Sequence, residues 1–302
     1  MTNDYQESDL PTVSVIIPAY NAQDNIAPLI ESLLNQKYPN DLLEIIVVDN
    51  NSNDQTREIV RRFPVTLLEK TDIQSSYAAR NEGIKNAAGD CLAFIDADCI
   101  ATDFWVAEGI NALISESADL AAGKVEFYFS KEKTAAEMYD SITQMQSQKT
   151  VTEKKAAATA NIFVKASLFQ QIGFFPEVTS GADVAWTKKA TNSGFKLIYA
   201  DKAIVKHPAR NLKQFLKKRF RTGAGTVAFW KSIGVSTWWM CAQILRRLLP
   251  RRLSMIKKAI QQRGTPDMNK KILSIWIVAY LCNLATVLGI LTSLLSFSKR
   301  KS

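Results

Sequence analysis

Cys91-Leu92-Ala93-Phe94-Ile95-Asp96-Ala97-Asp98 is a run of five apolar residues followed by two carboxylates one residue apart. The apolar part reads as a buried strand. In an open α/β sheet, ligands occupy the crevice beyond the carboxyl ends of the strands. Two acids at that position repel each other and lose hydration unless a cation or a ligand compensates them. Hard oxygen donors of this kind suit Mg²⁺ or Mn²⁺, which commonly also coordinate substrate phosphates. A lone D-x-D is also compatible with a strand-to-helix turn in which Asp98 caps a helix starting near Thr102, so the flanking sequence has to decide.

Upstream, Val13–Pro18 reads as a first parallel strand. Asn21 or Asp24 is placed to cap a helix over 25–36, whose Ile26, Leu29, Ile30, Leu33 and Leu34 share one face. Glu44–Asp49 is the second strand and again ends in a carboxylate, after which Asp54 is placed to cap a helix bearing Ile59 and Val60. Val65–Leu68 is a third strand, and Ser75–Ala88 a helix with Gly89 at its C-cap. This β-α-β-α-β-α-β alternation predicts a mostly parallel sheet with helices on both faces. No G-x-G-x-x-G follows the first strand and no G-x-x-x-x-G-K-[ST] occurs anywhere, which argues against a dinucleotide-dependent dehydrogenase and excludes a P-loop NTPase. Downstream, helices are expected over 102–115, 134–148 and 183–192, extended chain over 120–129, and a strand at 161–164. A mobile loop is expected over 150–160, and two short strands at 195–199 and 203–206.

The charge is divided unevenly along the chain. Residues 202–271 carry 18 Lys and Arg against a single acid, Asp267, whereas residues 1–201 carry a net −11 within an overall +9. An acidic body with a basic C-terminal third points to an anionic surface as its partner, membrane or nucleic acid. Four cysteines without C-x-x-C spacing read as reduced thiols, and the polar first ten residues contain no secretion signal core. Leu212–Arg221 is a basic amphipathic helix, followed by Trp230, Trp238 and Trp239 near Arg246, Arg247, Arg251 and Arg252, a pattern of helices lying in the headgroup layer. Ile272–Phe297 then offers 26 uncharged residues flanked by lysines and arginines. That exceeds the roughly 20 apolar residues a spanning helix needs. Denser positive charge before the span than after it places the body on the cytoplasmic side.

Four motifs in order, Val13–Asn21 (V-S-V-I-I-P-A-Y-N), Ile46–Ser52 (I-V-V-D-N-N-S), Ala79–Gly83 (A-R-N-E-G) and Phe94–Asp98 (F-I-D-A-D), make residues 11–210 resemble the family 2 glycosyltransferases of GT-A fold. The resemblance implies a GT-A nucleotide-diphospho-sugar transferase domain over 1–210, ahead of basic interface helices over 211–270 and a transmembrane segment with its tail over 271–302. It implies inverting transfer from a nucleotide-sugar donor, with UDP-sugar the family-weighted choice, through one divalent cation. Asp98 is then the metal ligand, with Asp96 facing the ribose and the metal's water shell and Ala97 lying against the nucleotide. Asp49 reads the base, although the Asp that usually follows it is Asn50 here. Pro18, Ala19, Tyr20 and Asn21 line the base and ribose. Arg80 either contacts the diphosphate or is a solvated surface residue. The family's helix-initial E-D pair corresponds to Ala182-Asp183, making Asp183 the general base or else only a first-turn acid. His207 approaches the metal or diphosphate, and Lys124 and Asn161 fall where relatives line the sugar and acceptor pocket. A Gln-x-x-Arg-Trp processivity signature is absent, so a single addition is implied.

Three functions are compatible with these readings. A transferase acting on a lipid-linked or membrane-proximal acceptor uses both the donor motifs and the basic, Trp-bearing C-terminus. A non-catalytic nucleotide-sugar-binding scaffold draws on Ala182 and Asn50. A nucleic-acid binder is disfavoured, because the basic residues accompany tryptophans and an apolar run rather than a reading motif.

Overall fold

A computed structural model describes residues 10–178, 180–232 and 234–299. The polar N-terminus expected to lack a signal and the basic tail residues Arg300 and Lys301 lie outside the described residues. The elements in order are β1 (Val13–Ala19), α1 (Ile26–Leu34), β2 (Leu43–Asp49), α2 (Thr56–Val60), β3 (Thr66–Glu69), α3 (Ser76–Asn86), β4 (Cys91–Ile95), β5 (Ile100–Ala101), α4 (Trp105–Ser115), β6 (Leu120–Tyr128), α5 (Ala135–Thr143) and α6 (Ser147–Lys154). They continue with β7 (Asn161–Lys165), α7 (Ser167–Ile172), α8 (Ala182–Asn192), β8 (Leu197–Pro208), α9 (Leu212–Ser232), α10 (Thr237–Leu248), α11 (Leu253–Arg263) and α12 (Ile272–Lys299).

The chain divides into two units: the chain up to Glu126 with Met145–His207, and Phe127–Gln144 with the chain from Pro208 onward. In the first unit, the sheet runs β3-β2-β1-β4-β7-β6-β8-β5. Its β3-β2-β1-β4 half is parallel, as the alternation predicts. The other half is mixed, with β7 antiparallel to both β4 and β6, and β5 antiparallel to β8. Alternate residues of β1 feed two cores: Val15 and Ile17 join α1 and α4, while Ile16 joins Phe94, Phe169 and Trp186. Full burial of each such side chain contributes about 1.5–3 kcal/mol, and continuous apolar strands with both faces covered follow from it. Register pairs Ala19 with Asp49 and Ile16 with Phe94, so β1, β2 and β4 end together and their carboxyl ends share one edge.

Several local expectations change. Neither Asn21 nor Asp24 caps α1, which has Asn25 at its N-cap without a side-chain bond. Asn21 instead takes a left-handed backbone (φ 48) and accepts from Asn53 N through Oδ1 at 2.9 Å. Gly89 is not a C-cap, since α3 ends at Asn86 and its C-cap Ala87 is extended. The glycine is required because a Cβ there would lie 2.6 Å from Ser14 N and 2.9 Å from Val13 C, both backbone. Gly89→Ala is therefore expected to destabilise the unit by about 1–3 kcal/mol, lowering the melting temperature with the same secondary structure retained. The helix expected over 134–148 breaks at Met145 (φ 46) into α5 and α6, so the expected loop at 150–160 is helical through Lys154. The two short strands near 195–206 are one strand, β8, and α7 was not foreseen.

In the second unit, α5 carries a capping box, Thr134 with Glu137. Ala136, Tyr139 and Ile142 of this helix pack with Phe215, Ile256, Ile275 and Ala279. The helix expected to stop at Arg221 runs on to Ser232 as α9. Gly223 permits that continuation against α12: a Cβ on Gly223 would meet Thr286 O at 2.2 Å, and one on Gly289 would meet Phe220 O at 2.0 Å. The two helix backbones touch at this crossing, as small residues allow. One helix among the described residues, within Pro266–Leu295, is long and apolar enough to cross a membrane.

Candidate active site

Helix α3 organises the site. Spacing of three and four residues puts Tyr77, Arg80 and Asn81 on neighbouring positions of the helix surface, and all three are buried. Arg80, expected either on a diphosphate or in solvent, is buried rather than solvated, and its Nη2 donates to Asp96 Oδ1 at 2.5 Å. Its Nη1 donates to Ser76 O at 3.3 Å, and its guanidinium lies 5.6 Å from the Tyr77 ring centroid. The Tyr77 hydroxyl donates to Asp183 Oδ1 at 2.9 Å and accepts from Gly181 N at 3.0 Å. Burial, and then the Asp183 charge beside it, push the Tyr77 phenol well above the ordinary tyrosine pKa. Asn81 fastens the segment leading to Asp183, donating to Phe175 O at 2.9 Å and accepting from Phe175 N at 3.0 Å. Asp183 and Asp96 are thus linked through two side chains of one helix.

Asp183 lies in the first turn of α8, after Gly181 in a left-handed conformation (φ 84) at the N-cap. Beyond Tyr77, its Oδ1 accepts from Val184 N at 2.9 Å and its Oδ2 from Thr159 N at 3.1 Å. The carboxylate is half-buried and held on both oxygens: Oδ1 already accepts two donors, whereas Oδ2, with Thr159 N and the more distant Thr159 hydroxyl at 3.5 Å, is the less committed oxygen. Ala182, where the family has Glu, is buried in the core. Tyr77 and Thr159 are missing from the sequence reading. Tyr77 was accessible to it as the i−3 neighbour of Arg80; Thr159 offered no such signal.

At the end of β4, Asp96, Ala97 and Asp98 are half-buried. Pairing of Ile100 with Lys206 and Ala101 with Val205 brings His207 beside this turn. His207 is fully buried, with Nε2 3.4 Å from Asp98 Oδ2. Asp98, Cys99 and His207 offer ligand atoms all within 4.8 Å of one another. Carboxylate oxygen and imidazole nitrogen suit a divalent cation, so Asp98 with His207 fits the expected metal, and Cys99, read from the sequence only as a reduced thiol, is their neighbour. Asp96 is not in this group, because its Oδ1 carries Arg80.

Asp49 is buried at the end of β2; its Oδ2 accepts from Ser52 N at 3.0 Å, and its Oδ1 is buried without a hydrogen-bond partner. Asn50 turns away to donate to Lys70 O at 2.7 Å and Ile73 O at 2.8 Å, closing the loop rather than joining Asp49. Pro18 and Ala19 end β1, and Asn50 N donates to Ala19 O at 2.8 Å. Tyr20 is exposed, and Asn21 N donates to Ser52 Oγ at 2.9 Å. Asn161, expected in a substrate pocket, is spent on the core. Its Oδ1 accepts from Trp105 Nε1 at 2.8 Å and its Nδ2 donates to Lys124 O and Ala203 O, both at 2.9 Å. Lys124 Nζ lies 2.6 Å from Glu126 Oε1.

The profile of glycosyl transferase family 2 matches residues 14–173. The chain belongs to this family. Among relatives of this glycosyltransferase, it is 37% identical over 297 residues to glycosyltransferase AglE of Haloferax volcanii, covering 95% of the present chain and 98% of AglE. Over 106 residues it is 38% identical to WfgD of Escherichia coli, a UDP-Glc:alpha-D-GlcNAc-diphosphoundecaprenol beta-1,3-glucosyltransferase, covering 34% of this chain and 40% of that one. In fold, the transferase is similar to the mannosyltransferase PcManGT of Pyrobaculum calidifontis, solved with GDP-Man and Mn²⁺, at a TM-score of 0.54 and 20% identity. That match covers 97% of this chain and 77% of the other. The fold of this glycosyltransferase is the GT-A type, a mixed α/β sheet flanked by helices.

Proposed function

We propose that this glycosyltransferase moves a sugar, with inversion, from a nucleoside-diphosphate sugar to a hydroxyl of a membrane-proximal or lipid-linked acceptor. The observation that carries the reading is the linkage of Asp183 to Asp96 through Tyr77 and Arg80, at the carboxyl edge of the sheet that also bears Asp98 and Asp49. Asp183 takes the acceptor's proton as its oxygen attacks the anomeric carbon, and the bond from that carbon to the diphosphate breaks, its electron pair leaving with the diphosphate. Tyr77 and Thr159 fix the carboxylate that receives the proton. Arg80 holds Asp96 in place beneath the nucleotide. The orphaned Oδ1 of Asp49 is an acceptor that a base N–H would satisfy, and an unpaired buried acceptor is otherwise costly. Pro18, Ala19, Tyr20, Asn21 and Ala97 surround that base and its ribose. Asp98 and His207 would hold Mg²⁺ or Mn²⁺, which stabilises the departing diphosphate's charge.

The second unit supports the acceptor class and the location. A basic set of helices ending in one long apolar helix suits a body held at the cytoplasmic face of a membrane. WfgD acts on a diphosphoundecaprenol-linked sugar, which supports the same acceptor class here. A scaffold that binds nucleotide sugars without turnover is the second reading, favoured by Ala182 in place of the family Glu. A melting-temperature screen of UDP and GDP separates donor binding from its absence. The expected result is stabilisation by one nucleotide that grows with Mn²⁺, about 2.7 kcal/mol at 100 times its Kd. Flat curves with every nucleotide, with and without the metal, rule the donor site out.

A further inference from the structure

The long apolar helix α12 is packed against the rest of the second unit on one side. Ile275, Ala279 and Cys282 share a core with α5, with Phe215 of α9, and with Ile256 and Ile260 of α11. Further along, Ile290 is fully buried among Val227 and Trp230 of α9 and Met240 of α10. Between these two clusters the backbones of α9 and α12 touch, Gly223 against Thr286 and Gly289 against Phe220. The contacts advance along both helices together, so α9 runs in the same direction as α12.

The opposite side of α12 is bare. Leu273, Ile277, Leu288, Leu291 and Leu295 are exposed, and the end residues Leu273 and Leu295 are 63% and 67% exposed. Half-buried Tyr280 and Leu284 fill the gap between them. At about 100° per residue, all seven fall within about 80° of one another. A continuous apolar stripe of this length marks a contact surface. Residues 202–271 carry 18 Lys and Arg against one acid, so a second copy of the chain would bring like charges together, whereas an anionic bilayer is complementary.

The partners of α12 decide how it meets that bilayer. Thr286 lies about 21 Å along the axis from Ile272, and the hydrocarbon core is about 30 Å thick. An upright α12 would carry Phe220–Gly223 about two-thirds of the way across. Exposed Lys217 and Arg221 would enter the hydrocarbon with them, a costly place for a charge. It would also draw in α11, which packs on the first half of α12 and carries exposed Lys257 and Lys258. Lying flat, α12 turns its stripe to the acyl chains and keeps α9 and α11 on its other side, outside the hydrocarbon.

We infer that α12 does not cross the bilayer but lies along one leaflet of an anionic membrane, with the Leu273–Leu295 stripe against the lipid. The inference goes beyond the proposed membrane-held body and rests on that reading. Both ends of the helix then stay on the side of the body, and the protein is monotopic.

The test adds the detergent-solubilised full chain to preformed vesicles of phosphatidylglycerol and phosphatidylcholine and then removes the detergent. In a Cys241→Ser background, Glu132→Cys reports the side of the body and Ser302→Cys the side of the chain beyond α12. Cys91, Cys99 and Cys282 are buried. The chain is expected to float with the vesicles, and a membrane-impermeant maleimide to label both variants equally without detergent. Leu288→Glu/Leu291→Glu should weaken flotation about tenfold or more, with nucleotide stabilisation kept, because both leucines are exposed. The labelling needs no change within α12, so it reads the placement even where the leucine pair does not fold. Labelling of Ser302→Cys only after detergent, beside an accessible Glu132→Cys, overturns the flat placement and leaves the membrane reading standing. Absence of flotation sinks both. Undiminished flotation of the leucine pair overturns the stripe as the lipid contact, and a wild-type dimer that the pair dissolves would assign the stripe to a second copy.

Discussion

Asp183→Asn is expected to lower the rate of sugar transfer by about 10²–10⁴-fold, the contribution of a positioned general base, while nucleotide binding stays within error of the wild type. The substitution keeps the shape of the side chain. One amide oxygen can still accept from Tyr77 and Val184 N, but the amide nitrogen then faces Thr159 N–H, a donor against a donor. The fold should survive, because Asp183 is half-buried at a helix start, Tyr77 is held by α3, and Thr159 is buried in the turn before β7. Loss of transfer therefore reports chemistry. The check is a single-turnover assay at saturating donor alongside a nucleotide titration. Transfer near the wild-type rate removes Asp183 from the role of base and leaves it as a first-turn acid.

The second large effect is expected at Asp98. Its Oδ2 and His207 Nε2 lie 3.4 Å apart, with the imidazole fully buried. Replacing the carboxylate by an amide removes the negative charge that a divalent cation needs at this turn. Asp98→Asn is expected to abolish the Mn²⁺-dependent part of nucleotide stabilisation and to reduce turnover to background, without changing the metal-independent part. Thermal melting with UDP or GDP, with and without Mn²⁺, reads the two parts separately. An intact metal dependence in the variant would move the cation away from Asp98 and His207.

Much of the first unit is legible in the order of residues. The apolar runs Val15–Pro18, Ile45–Val48 and Cys91–Ile95 carry their strand identity locally, because a strand buried on both faces is apolar nearly throughout. Carboxylates at the last residue of β2 and directly after β4 mark the ligand edge by the same local rule, since the carboxyl ends of the parallel strands share one edge. What surrounds those acids was less legible. Arg80 reads on its own helix either as a diphosphate contact or as a surface residue, and the sequence does not show that it is buried against Asp96, 16 residues away. The bond from Tyr77 to Asp183 spans 106 residues, and no periodicity encodes a contact of that range.

Glycines show the same division. Gly89 suggests a helix end and Gly223 a helix break when only neighbours in sequence are considered. In the folded chain each is needed where two backbones meet, Gly89 against Ser14 and Gly223 against Thr286. The amino-acid order by itself determined the strand-and-helix alternation, the acidic edge, the basic C-terminal third and the long apolar helix, because each depends on composition within a few turns of chain. Tertiary structure alone decided which side chains meet: Arg80 on Asp96, Tyr77 on Asp183, and His207 beside Asp98. Those meetings depend on which elements become neighbours, and that is set by burying all the apolar faces at once.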